Sequence, residues 1–193
     1  MNHTTIDGID YGPLAGLLGH WIGERGLDIA PDANAEPDKN AYIDELTFTP
    51  SGPAENAEEQ QLVSVRYHHL VRKKSNGKIF HDQIGHWIYE PATGKVWHSL
   101  TIPRGVVVLA EGRVKDTEQG LRFEVSATEN AKSPQIVQTE FMLAKARTKA
   151  FKMMLELTEN QLRYHETTSL HIYGKDFEHE DSSELKRVLY ETD

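Results

Sequence analysis

The amino-acid sequence predicts an all-β chain that closes into an antiparallel β-barrel of about ten strands, with a short N-terminal capping helix. Three observations predict it. Turn signals recur at the spacing of a β-meander: Asn76-Gly77, Ala92-Thr93-Gly94 and Glu118-Gln119-Gly120 each separate two runs of strand-forming residues. Within the runs, side chains alternate with period two, so that Val63, Val65, Tyr67, His69 and Val71 share one face while Ser64, Arg66 and His68 share the other. No stretch carries a convincing helix longer than about three turns. Nine or ten antiparallel strands in one domain either stack as two sheets or close on themselves; long strands and the need to remove exposed edges favour closure. A cylinder of that size is wide enough to hold one small ligand.

Taken in order, Tyr11-Gly12-Pro13 leads into an apolar helix of one or two turns over 14–18, broken by Gly19. The first strand opens there. Residues 32–39 form a polar, proline-containing loop, and Pro50-Ser51-Gly52-Pro53 reads as a turn. Runs rich in Val, Ile, Thr, Tyr and Phe over 95–102, 106–112, 121–127, 136–143 and 162–173 read as further strands. A second short helix is expected over 144–150. The whole chain, 1–193, is expected to be one barrel domain with its core over 19–190 and a flexible stretch over 1–10.

Composition narrows the class of function. With 38% hydrophobic and 26% charged residues the chain is that of an ordinary globular domain. No apolar run approaches the roughly 20 residues that span a bilayer, and the first residues lack the basic and apolar regions of a signal peptide, so a cytoplasmic location is expected. There is no cysteine, which removes disulfides, thiolate catalysis and Cys-based zinc sites. A net charge of −9 argues against a nucleic-acid surface. The basic run Arg72-Lys73-Lys74, followed by Ser75-Asn76-Gly77, reads as a solvated hairpin end.

Three segments carry a resemblance. The run Gly19-His20-Trp21-Ile22-Gly23-Glu24-Arg25-Gly26 resembles the opening of the nitrobindin-like haem-binding barrels and of the bacterial proteins similar to fatty-acid-binding proteins. Physically, its glycines let the strand bend at the closed end, and Trp21 plugs that end against the short helix. The hairpin from Asn76 to Pro91, with His81-Asp82 and Gly85-His86-Trp87, is similar to one in the same family whose histidine points into the cavity; the resemblance places His81 there. Thr101-Ile102-Pro103-Arg104-Gly105 looks like the fatty-acid-binding-protein-like branch, with Ile102 at a pocket position. In the segment Leu170 to Asp181, His179 matches the proximal iron ligand of the family, in a connection at the mouth of the barrel, with acidic neighbours at Glu178, Glu180 and Asp181. The resemblance thus implies a lumen that binds haem b or another apolar small molecule, with gas sensing or peroxynitrite isomerase-like handling if haem binds, in a monomer or homodimer.

Other constellations are weaker. The ten histidines have no zinc-type spacing, and His68 and His69 point to opposite faces, which leaves open only a metal site assembled across strands. No Gly-x-Ser-x-Gly elbow occurs, and Asp44-Glu45 beside Tyr42 reads as a solvated strand end. A lipid-type carrier is one alternative; its ligand's carboxylate needs Arg66, Arg104, Arg163 or Tyr164 inside the lumen. An enzyme acting on a bound hydrophobic substrate, with His81 and Asp82 as acid and base, is another.

Overall fold

The computed structural model describes residues 4–55 and 58–189; residues 1–3 of the expected flexible stretch and Tyr190 at the end of the expected core lie outside them. Strands β1 (Thr5–Ile6) and β2 (Ile9–Asp10) make a two-stranded ribbon. About two turns of 3-10 helix follow over Gly12–Leu17, where a capping helix is expected. Then come β3 (Gly19–Pro31), β4 (Pro37–Ala54), β5 (Leu62–Lys73), β6 (Ile79–Glu90), β7 (Lys95–Ile102), β8 (Val106–Thr117), β9 (Gly120–Thr128), β10 (Ile136–Gln138), helix α1 (Glu140–Lys145), β11 (Ala146–Leu157), β12 (Gln161–Ile172) and β13 (Lys175–Arg187). Antiparallel neighbours run from β3 through β9, then β11, β12 and β13, and β13 pairs back onto β3. The ring is therefore a closed barrel of ten strands, with short β10 added beside β8.

Three segments differ from expectation. Pro50 to Pro53 is no turn but an irregularity inside β4, tolerated because a bulge does not need the missing proline N–H. The second helix lies earlier than expected, started by Thr139, whose side chain accepts from the Met142 N–H at 3.4 Å; residues from Ala146 pair with both β9 and β12 instead. His179, which the resemblance places in a connection, lies instead in a full strand over 175–187. The strand's charged side chains face outward or into the site described below, and pairing on both edges supplies the order that its composition does not.

One end of the lumen is solid. Trp21, Trp87, Phe48, Val65, Phe123, Leu155, Leu162 and Leu185 are buried there with Leu14 and Leu17 of the 3-10 helix. Trp21 donates its indole N–H to the Leu17 carbonyl at 2.7 Å, and the Arg187 guanidinium stacks 4.1 Å from its ring. The other end holds a cavity.

Candidate functional site

The site begins with a bulge. Along β3, Trp21 and Gly23 face inward, Glu24 and Arg25 both face solvent, and Gly26 and Asp28 face inward again. The β3–β4 register slips between Gly23 and Gly26. One extra residue resets the alternation, so Asp28 turns into the lumen and Leu27, 38% exposed, turns out. The two glycines also make room. A Cβ on Gly23 would lie 2.2 Å from Asp44 Oδ1 and 2.6 Å from Ser183 Oγ, and a Cβ on Gly26 would lie 1.9 Å from the Tyr42 ring.

Into that space folds a polar floor. Asp44 is fully buried, and its carboxylate accepts from Ser183 Oγ at 2.8 Å, Tyr164 OH at 3.0 Å and His69 Nε2 at 3.3 Å. The Tyr42 hydroxyl lies 2.7 Å from that of Tyr164 and 3.1 Å from the Ser182 carbonyl. Burial raises the pKa of both tyrosines, so they stay protonated donors. Asp44 is therefore no solvated strand end. It is the acceptor that organises four strands.

Above the floor lies a cavity of about 180 Å³, lined by Asp28, Ala30, His69, Val71, Phe80, His81, Tyr164, Glu166, His179 and Asp181. On one wall, His179 of β13 donates from Nε2 to Asp28 at 2.7 Å, with Asp181 at 3.3 Å from the same nitrogen. Burial alone would lower the His179 pKa, but the bond to Asp28 and the charges of Asp181, Asp28 and Glu166 outweigh it and hold the imidazole above its ordinary value. Burial raises the Glu166 carboxyl, reinforced by the Asp181 charge, and burial likewise raises Asp181.

On the opposite wall His81 is neutral. Burial, then the nearby His69, pushes His81 down to about 4. His81 begins a chain that runs into the packed half: its Nε2 pairs with Gln83 Oε1 at 3.1 Å, Gln83 Nε2 donates to Tyr67 OH at 2.7 Å, and His98 Nε2 lies 2.8 Å from the same hydroxyl. His98 stacks on Trp87 with ring centroids 4.4 Å apart, and its buried Nδ1 has no partner among the described residues. Burial lowers its pKa to about 3.

Of the residues singled out from the sequence, the structure brings His81, Tyr164 and His179 to this cavity. His179 lies within strand β13, not in a connection. Trp21 lies in the packed end, and Ile102 packs against the core at the end of β7; neither lines the cavity. Arg66 and Arg104 are exposed, and Arg163 pairs with Glu184 at 3.0 Å on the outer surface. Asp82 faces outward to His68 at 2.8 Å, away from His81. Sequence reading missed Asp28, Asp44, Glu166 and Asp181; the inward phase of β5 already held His69.

A closed ten-stranded barrel, packed at one end and with imidazoles and carboxylates around a cavity at the other, defines a lumen-binding β-barrel. The family model of the THAP4-like, heme-binding beta-barrel domain matches residues 10–187, and the chain belongs to that family. Among solved structures, it is similar to Rv2717c from M. tuberculosis, at 21% identity and a TM-score of 0.69, over 91% of this chain and 95% of that one. The S-type phycobiliprotein lyase CPES from Guillardia theta shares the fold, at 12% identity and a TM-score of 0.50, over 91% and 90% of the two chains. No curated protein matches the sequence. Among the described residues no helix is long and apolar enough to cross a membrane.

Proposed function

We propose that the chain binds a hydrophobic small molecule, haem foremost, at the open end of its barrel, with His179 as the iron donor. The observation that carries this reading is the convergence of three imidazoles, His69, His81 and His179, with Val71, Phe80 and Ala30 on one lumen cavity in a chain of the haem-binding barrel family. The donor set fits haem in kind. An imidazole stands on one wall, and the facing His81 is neutral, able to meet a bound molecule without adding charge.

Two features qualify the fit. The enclosed volume of about 180 Å³ falls below the roughly 300 Å³ at which drug-sized ligand sites begin, so a haem would extend through the mouth, where Phe80 is 39% exposed. His179 Nε2 must also leave Asp28 before it can take iron. When bound, haem would supply an iron with a position open to a diatomic ligand. The chain's own residues then have separate tasks: Asp44 fixes Tyr164 and His69, Gln83 orients His81, and the packed end excludes water from below.

The alternatives have less support. A fatty acid needs a cation for its carboxylate, and no Lys or Arg lines the cavity. An acid–base pair of His81 and Asp82 is split between the two faces of β6. Titration with ferric haem tests the proposal: a shifted Soret band that is lost in His179→Ala supports it, and a free-haem spectrum in the wild type overturns it.

A further inference from the structure

The carboxylate wall of the cavity has a chemistry of its own. Asp28, His179 and Asp181 each present one donor atom, and the three lie within 4.8 Å of one another. Glu166 faces Asp181 directly across the β12–β13 ladder and lines the same cavity. Its carboxyl makes no hydrogen bond to another described residue. The side chains of Asp28 and Asp181 are 6% and 25% exposed, and no Lys or Arg lines the space. Three carboxyl groups and one imidazole therefore share this wall, with His69 and His81 opposite.

We infer that Asp28, His179 and Asp181 form a divalent-cation site of the zinc class, with Glu166 placed to serve as a fourth donor. Zinc holds nitrogen and oxygen ligands at about 2.0–2.2 Å, which sets tetrahedral neighbours roughly 3.3–3.6 Å apart. His179 Nε2 and Asp181 Oδ2 already stand 3.3 Å apart, and the 2.7 Å bond from His179 to Asp28 has only to open by about 0.6 Å as the ion replaces the shared proton. The donor types select the metal. One imidazole with carboxylates suits zinc, manganese or ferrous iron better than calcium or magnesium, which take oxygen alone, and the absence of sulfur disfavours cuprous ion. Because the ion uses the same nitrogen that haem iron would need, the two ligands exclude each other, but cation binding does not depend on haem binding.

The test uses the full chain, stripped with chelator and without haem, titrated with Zn²⁺ by calorimetry in two buffers of different ionisation enthalpy. One ion per chain is expected, with proton release on binding. Loss of an outer-sphere partner already weakens metal sites about 10–100-fold, so Asp28→Asn and Asp181→Asn should each lose at least tenfold in affinity. Asp82→Asn, on the outer face, should bind as wild type does. Should the cavity variants fail to fold, Co²⁺ in the wild type decides: intense visible bands of a four-coordinate ion support the site. A pale aquo-ion spectrum, no Zn²⁺ heat at tens of micromolar, or equal binding by both folded variants overturns it. A haem titration of the same preparation is read separately at the Soret band, so failure of either ligand is distinguishable from failure of the other.

Discussion

The bulge glycine offers a direct test of how the site is held. In Gly26→Ala the new Cβ would stand 1.9, 2.0 and 2.5 Å from three atoms of the Tyr42 ring. Ordinary contact begins at 3.4 Å, so the ring must retreat by about 1.5 Å. Gly26 is not among the positive-φ residues, so alanine suits the backbone and the cost is steric. Overpacking of this kind costs about 1–3 kcal/mol. Retreat of the ring also breaks the Tyr42 hydroxyl's contacts with Tyr164 and Ser182, each worth about 1 kcal/mol. A loss of about 3–5 kcal/mol is expected, which for a chain of this length lowers Tm by about 10–15 °C. Urea unfolding of wild type, Gly26→Ala, Tyr42→Ala and the double variant measures it. With the ring gone, Gly26→Ala should be nearly neutral, giving a coupling energy above about 2 kcal/mol. A loss below 1 kcal/mol, or an equal loss in the Tyr42→Ala background, would refute the claim that glycine is there to admit the tyrosine.

Other perturbations separate the remaining parts. Asp44→Ala leaves Ser183, Tyr164 and His69 without their buried acceptor and should cost about 2–5 kcal/mol, whereas Glu45→Ala, its partly exposed neighbour, should cost under 1 kcal/mol by the same denaturation; similar losses would contradict the polar floor. His81 has a folded pKa of about 4 against 6.5 in the unfolded chain, so its contribution is whole above pH 6.5 and disappears as the pH falls towards 4, a loss of about 3 kcal/mol. His98, at about 3, acts in the same direction. Stability measured from pH 7 to pH 4 should therefore fall less steeply in His81→Gln, by about one proton; an unchanged slope would show that His81 is not held neutral. Trp21→Ala should cost about 3–5 kcal/mol, and Arg187→Ala, which loses the ring contact and its bond to the Gly16 carbonyl, about 1–2 kcal/mol; a Trp21 loss no larger than that of Arg187 would mean that the plug is not part of the core.

Alternation along each strand made most of the barrel legible. Val63 to Val71 on β5 face inward as their period requires, and His69 came with them although nothing marked it as a site residue. Trp21 and its glycines were recognisable as a motif, but the motif's spatial task was not. Bending at the closed end accounts for neither Gly23 nor Gly26; both are small because Asp44, Ser183 and Tyr42 occupy the adjacent space. Asp44 and Glu45 are two acidic neighbours, and local sequence does not say which of them faces in.

The sequence by itself determined the strand periodicity, the closed all-β architecture and the family, because side-chain phase and turn chemistry are local properties. Tertiary structure alone decided the site. The β3 bulge inverts the phase expected from Trp21 and brings Asp28 inward, and closure of β13 onto β3 then sets it beside His179 and Asp181 from the far end of the chain. A period of two says which face a residue takes, but only the register of the closed ring says which residues meet across it.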